Sequence, residues 1–276
     1  LHLSLRRQRQ MCIRDSVRRK GKADKRFTSC LPLVLIPTLA GTGSELDPYA
    51  VITIKHTREK VVFSHRGFWP KVSLIDPELT YTVPAPATAE GGVDALVHLM
   101  ETYLTCRESM DVSDGITVSL ANTIIEHLPK CLDDPRSPKA RRELLWASSL
   151  ALCGICWVGR DGLFVLHSLE HPLSGVYDIP HGRGLAALLP PFMEMLKDIC
   201  PERLDLWERN VMTQDELVKW LDRCDIKVRL RDFGVKEDDL RGFVNKALEL
   251  DGDGECLDGE ERMNRDFLLE LYRRAM

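Results

Sequence analysis

The chain has 276 residues, 44% of them hydrophobic and 29% charged, which is enough to bury a substantial core in one large or two modest domains. Its formal charge of -4 is unevenly spread: residues 1–30 hold ten Lys and Arg against two acids, so the rest is acidic, which argues against nucleic acid as a general partner. Nine cysteines without a regular framework point to a reducing cytoplasm rather than a disulfide scaffold, and the absence of any run near ~20 apolar residues excludes membrane insertion.

Residues 1–29 combine LHLSLRRQRQMCIRDS with VRRKGKADKRFTS, lack apolar periodicity, and read as a disordered or non-native basic tail. No signal peptide is expected, since the apolar run Leu31 to Ile36 is too short and comes too late. That run, LPLVLIPT, is partly β-branched and stops at Pro37, as a buried strand would; the glycine-rich turn AGTGSE follows it. Further strands are expected at Tyr49 to Ile54 and at Val72 to Ile75. Beyond Pro86 apolar residues recur at three- and four-residue spacing through Val93, Leu96, Val97, Met100 and Leu104, which predicts a helix. Similar spacing predicts helices over 112–128, 139–158, 161–176, 184–198, 202–209, 214–223, 237–250 and 264–275. The expected organisation is a small α/β piece over 30–86 followed by an all-helical part over 87–276, a common domain size.

Two clusters carry candidate chemistry. In Asp94-Ala-Leu-Val-His98 the carboxylate and the imidazole stand at i and i+4 on one helix face, within ~6 Å, so they can converge on one point. In the segment from Gly162 to Gly182, His167 and His171 are again i and i+4, while His181, between Pro180 and Gly182, should sit in a turn opening the next helix. Three imidazoles and a carboxylate suit Fe²⁺ or Zn²⁺ with an open position for substrate. Any one of these histidines is as readily an ordinary core or surface residue, so the residues alone leave both readings open. Two other signals are declined. Cys153-Gly-Ile-Cys156 lacks a second pair and reads as core in a helical stretch. The acidic run from Asp251 has Cys256 and Arg262 where a calcium loop needs a glycine and an acid.

The strings IPTLAGTGSELDPYAVIT (36–53), LIDPELTYTVP (74–84), EGGVDALVHLMETYLT (90–105) and HSLEHPLSGVYDIPHGRGLAALLP (167–190) resemble the signature segments of iron-containing, group III alcohol dehydrogenases. The resemblance runs from about Leu31 to the end and is weakest between 195 and 262. It implies an α/β remnant of a dinucleotide-binding domain followed by an all-α metal-binding domain, the dehydroquinate synthase-like or iron-containing alcohol dehydrogenase fold. It also implies Fe²⁺, or Zn²⁺, on Asp94, His98, His167 and His181, with His171 as a non-ligand catalytic histidine for substrate and proton relay. Thr38, Gly41, Thr42, Gly43 and Ser44 would face NAD or NADP, and Lys60 would neighbour the cofactor ribose and phosphates; Leu39 replaces a common threonine, so one hydroxyl contact is expected to be absent.

The family's upstream GGGS phosphate loop does not precede Leu31, so the chain is expected to begin inside the dinucleotide domain, with NAD against NADP left unread. The implied activity is interconversion of a primary or secondary alcohol and its aldehyde or ketone, in a cytoplasmic homo-oligomer when full length. Two alternatives stay open. A dehydroquinate synthase-like lyase acting on a sugar phosphate is disfavoured by the scarcity of Lys and Arg between His167 and His181. A non-catalytic metal-binding fragment would bind the ion without turning over alcohol.

Overall fold

The computed structural model describes residues 30–276 except 253 and 258–260; the basic tail expected over 1–29 lies outside the described residues. Four strands come first. Val34–Leu35 (β1) and Val72–Ser73 (β4) form a parallel pair, and Tyr49–Ile54 (β2) and Glu59–Ser64 (β3) form an antiparallel hairpin with Tyr49 opposite Ser64 and Ile54 opposite Glu59. Nine helices follow among the described residues: Ala85–Thr105 (α1), Asp111–Asp133 (α2), Pro138–Ala151 (α3), Val165–Tyr177 (α4), His181–Ile199 (α5), Pro201–Asn210 (α6), Gln214–Arg223 (α7), Glu237–Asp251 (α8) and Arg265–Ala275 (α9).

Helix α1 is the hub. From Thr88 to Thr105 nearly every residue is buried, and α2 to α6 all pack on it. A helix enclosed on all sides must be apolar or satisfy its polar groups internally. Here Val93, Leu96, Val97, Met100 and Leu104 enter one continuous apolar core that runs through to Tyr272 and Ala275 on α9, while Asp94, His98 and Glu101, at successive turns, form a single buried polar stripe. Around the hub, helix starts follow local chemistry. Thr213 and Glu216 form a capping box at α7, and the Asn264 side chain accepts from the Phe267 amide at α9.

The hairpin rests on α4. The AGTGSE turn is pressed against the first turns of α1, where a side-chain carbon at Gly91 would lie 1.9 Å from the Ala40 carbonyl oxygen. Only glycine permits that approach. Glu45 in the same turn is buried and accepts a hydrogen bond from the Ser149 hydroxyl of α3, which ties the turn to the bundle from its other side.

Four expectations are corrected. The run from Leu31 contributes only a two-residue strand, because β4 is its single partner among the described residues; Val34 and Val72 stay about half exposed. Strand β3 was not expected, since Glu59 and Lys60 break its apolar pattern; pairing with β2 along six residues supplies what the pattern lacks. The helix expected over 139–158 ends at Ala151, and Gly154 then takes a φ of 94° that no helix continues through, so Cys153 and buried Cys156 lie in a connecting segment with a short 3-10 turn. The following helix begins at Val165 rather than near 161.

Candidate metal centre

Asp94 and His98 descend from one face of α1, His167 comes from the first turn of α4, and His181 is the first residue of α5. Helix α4 ends where Asp178 adopts a left-handed φ of 55°, and Pro180 stands at the N-cap of α5, so the chain folds back and brings His181 over His171 and His167. The result is a convergence on one atom. Asp94 Oδ1 lies 3.3 Å from His167 Nε2 and 3.5 Å from the Nε2 atoms of both His98 and His181.

Those spacings suit an ion. Four ligand atoms about 2.1 Å from a common metal at tetrahedral angles lie about 3.4 Å from one another. Asp94, His167 and His181 each offer a ligand atom within 4.8 Å of the others. His98 stands slightly apart: its ring stacks on His167 with centroids 4.4 Å apart, and its Nδ1 is buried without a hydrogen-bond partner. The charges point the same way. Burial works against the Asp94 carboxylate, but His98, His167 and His181 outweigh it and hold its pKa far below the usual range. Burial likewise opposes charge on His167, yet Glu101 and Asp94 prevail and raise its pKa to about 10. A proton on His167 Nε2 thus occupies the place a cation would take. Burial pushes His98 down to about 3, against the pull of Asp94, leaving a neutral imidazole of the kind a metal binds.

Two residues that sequence reasoning passed over flank this cluster. Glu101, with a fully buried side chain on α1, accepts from His167 Nδ1. Glu170, also fully buried and on α4, accepts from His181 Nδ1, from Ser174 and, at 3.1 Å, from Lys60 Nζ on β3. Burial alone raises the Glu170 pKa, but His181 and Lys60 outweigh it and hold it down. Their signal was in the sequence: Glu101 continues the Asp94, His98 stripe by three residues, and Glu170 lies three after His167. An acid inside an apolar helix rarely goes unpaired.

His171 faces a second grouping, with Glu170 and His181, but there the Lys60 ammonium supplies the positive charge. Burial first, then Lys60 and His181, push the His171 pKa well below 6.5, so the ring is neutral. Phe164 stands edge-on to His98 and His167, with centroids 6.4 and 5.7 Å away, and Trp157 packs edge-on to Phe164. These half-buried aromatics form an apolar wall beside the centre.

Among the residues expected near a cofactor, Gly41 faces Gly91 and the Asp94 carboxylate, so the AGTGSE turn borders the centre directly. Thr42 and Ser44 pair through their hydroxyls at 2.7 Å, Gly43 opens the 3-10 turn Ser44–Leu46 with a φ of 60°, and Thr38 is half-buried. Leu39 is exposed. Lys60 is drawn to Glu170 and lies 3.0 Å from His181 Nδ1.

Similarity to known proteins covers most of the chain. Residues 88–276 match the profile described as "Fe-containing alcohol dehydrogenase family, C-terminal", and residues 3–77 match "Iron-containing alcohol dehydrogenase". The second match begins well ahead of Leu31, where the motif resemblance starts. An NADH-dependent butanol dehydrogenase B of Clostridium acetobutylicum is 33% identical over 89% of this chain and 67% of its own length. An NADPH-dependent aldehyde reductase of Escherichia coli is 28% identical over 91% of this chain and 66% of its own. The crystal structure of an NADH-dependent butanol dehydrogenase A from Thermotoga maritima superposes with a TM-score of 0.83 at 29% identity, covering 90% of this chain and 67% of that one. The chain spans about two thirds of the length of each.

Proposed function

The chain belongs to the iron-containing alcohol dehydrogenase family, and from that premise we propose that it is a metal-dependent oxidoreductase interconverting a primary or secondary alcohol and its aldehyde or ketone with NAD(P). Fe²⁺ is the proposed ion, on Asp94, His98, His167 and His181, and the same nitrogen and oxygen donors suit Zn²⁺. The observation that carries this reading is the approach of three imidazole nitrogens to within 3.5 Å of one Asp94 oxygen. When bound, the metal polarises the substrate oxygen and the nicotinamide carries the hydride.

The chain's own groups have distinct tasks. Asp94 and the three histidines hold the ion, and the Thr38 to Ser44 turn, bordering Asp94 through Gly41, offers backbone and small side chains to the cofactor. Lys60, on β3, is proposed to neighbour the cofactor ribose and phosphates. His171, neutral and next to His181, is proposed to orient substrate and pass a proton at a ring nitrogen. The Phe164 and Trp157 wall favours an apolar carbon chain on the substrate. No described helix is long and apolar enough to cross a membrane. A cytoplasmic site is proposed from the eight free cysteines among the described residues, and a homo-oligomer from the exposed apolar residues along β1 and β4.

The test loads the protein with Fe²⁺ anaerobically, or with Zn²⁺, and follows NADH and NADPH consumption with a panel of short aldehydes. Metal-dependent turnover of a short aldehyde supports the assignment. Stoichiometric metal with no turnover on any carbonyl or alcohol, with either cofactor, would leave the binding-fragment alternative in its place.

A further inference from the structure

Helix α4 lacks a capping side chain of its own: its N-cap is Phe164, and no side-chain hydrogen bond comes from there. The amides of Leu166 and His167, the donors an N-cap side chain would normally satisfy, instead meet Glu101 Oε2, at 2.8 and 3.4 Å. The other oxygen of the same carboxylate, Oε1, accepts from His167 Nδ1. One buried acid on α1 therefore fixes both the start of α4 and the ring that α4's first turn carries. Glu170 repeats the ring contact, without the amide capping, for α5. It sits on α4, is held by Ser174 and Lys60, and receives His181 Nδ1, the ring of α5's first residue.

A carboxylate accepts hydrogen bonds and cannot donate them. His167 Nδ1 must then carry its hydrogen, and His181 Nδ1 carries one where it meets Glu170, with the Lys60 ammonium, 3.0 Å from that nitrogen, turned to the same carboxylate. Nε2 of each ring, 3.3 and 3.5 Å from Asp94 Oδ1, is the nitrogen left to give up its proton to an ion. His98 has no such partner, since its Nδ1 is buried without one. The three candidate rings are thus unequal: two meet a buried acid at Nδ1, and the third is held by packing against His167 and Phe164.

We propose that Glu101 and Glu170 are positioning residues of the metal centre, fixing the Nδ1–H tautomer and the aim of His167 and His181 so that their Nε2 atoms are presented to the ion. This rests on the metal-centre reading above. The second carboxylate also links the centre to β3 through Lys60, so the hairpin and one metal-bearing helix share an anchor.

The decisive variants are Glu101→Gln and Glu170→Gln. A glutamine keeps the shape, and at position 101 its carbonyl oxygen can still cap the Leu166 and His167 amides. Its NH₂ then faces Nδ1 as a donor, which drives the ring hydrogen onto Nε2 and blocks coordination. Zn²⁺ and Co²⁺ affinities are measured on the whole chain by competition with a chelator, beside the thermal midpoint of the metal-stripped protein. Each variant is expected to lose about 10–100-fold in metal affinity, with its metal-free midpoint close to the parent's and an altered Co²⁺ visible spectrum. Affinity within threefold of the parent, or a loss that only tracks a fallen midpoint, overturns the proposal. Should a variant not fold, ring ¹⁵N NMR of the zinc-loaded parent decides: Nδ1–H on both His167 and His181 supports it, and an Nε2–H ring at either overturns it. If the parent itself binds no metal, the metal-centre reading fails with it; if the parent binds and the Gln variants bind equally, only this inference fails.

Discussion

Gly91→Ala tests the seating of the AGTGSE turn on α1. The added carbon would stand 1.9 Å from the Ala40 carbonyl oxygen, against about 3.3 Å for a tolerated carbon–oxygen contact, so one of the two backbones must move by about 1.4 Å. Neither yields cheaply. The α1 backbone is enclosed by five helices, and the turn is held by the bond between Glu45 and Ser149. Forcing atoms into a packed interior costs about 1–3 kcal/mol, and an overlap this deep belongs at the upper end. Alanine's better helix propensity offsets about 1 kcal/mol, leaving a net loss of about 2 kcal/mol. Gly115→Ala is the control: Gly115 also lies inside a helix, α2, but a side-chain carbon there meets nothing within 4 Å, so the same change should stabilise by about 0.5–1 kcal/mol. Urea unfolding of both variants should separate them by about 2.5–3 kcal/mol. Because Gly41 rides on the displaced turn beside Asp94, Gly91→Ala should also weaken NADH binding. Stabilities equal within about 0.5 kcal/mol would refute the claimed contact, since propensity alone predicts no difference between the sites.

Elemental analysis of purified protein should find one metal per chain, with occupancy sharply reduced in His167→Ala and His181→Ala; unchanged occupancy in either removes it from the ligand set. His171→Ala should retain the metal and lose about 10²–10⁴-fold in turnover, the worth of general acid–base help, whereas loss of metal would make His171 a ligand. Metal uptake should release a proton from His167 at pH 8, because its pKa of about 10 keeps the metal-free ring charged and coordination needs it neutral. Apparent affinity should then rise about tenfold per pH unit below that value, and calorimetry in buffers of different ionisation enthalpy measures the release. His98, already neutral with a pKa of about 3, should add nothing. In the metal-free protein the same raised pKa gives the opposite slope: stability from charged His167 is full below about pH 6.5 and is lost as pH climbs through about 10, which pH-dependent unfolding reads directly.

Local spacing was enough to locate most of the helices and three of the four described strands, because burial on one face writes a period of about 3.6 or 2 into the chain. Helices α6, α7, α8 and α9 fall within one or two residues of expectation. The Asp94 and His98 pair was legible for the same reason, being a single helical turn. Strand β3 was not, since a charged edge such as Glu59 and Lys60 becomes a strand only when β2 lies beside it. The end of α3 depended on one backbone angle at Gly154.

Tertiary structure alone decided the inequality among the histidines. Nothing in the spacing of His167, His171 and His181 says which ring turns toward Asp94. That choice is made by Glu101 from α1 and Glu170 within α4, whose acceptor-only oxygens can receive Nδ1–H only when Nε2 faces the opposite way. Periodicity puts residues on a face; the direction of a ring depends on partners brought from 11 or 66 positions away in the chain. Lys60 is the clearest case. Similarity to a family suggested a cofactor contact; the folded chain adds an ion pair that spacing could not show, carrying the Lys60 ammonium across 110 positions to Glu170, because a buried carboxylate with no cation nearby would be too costly to keep ionised.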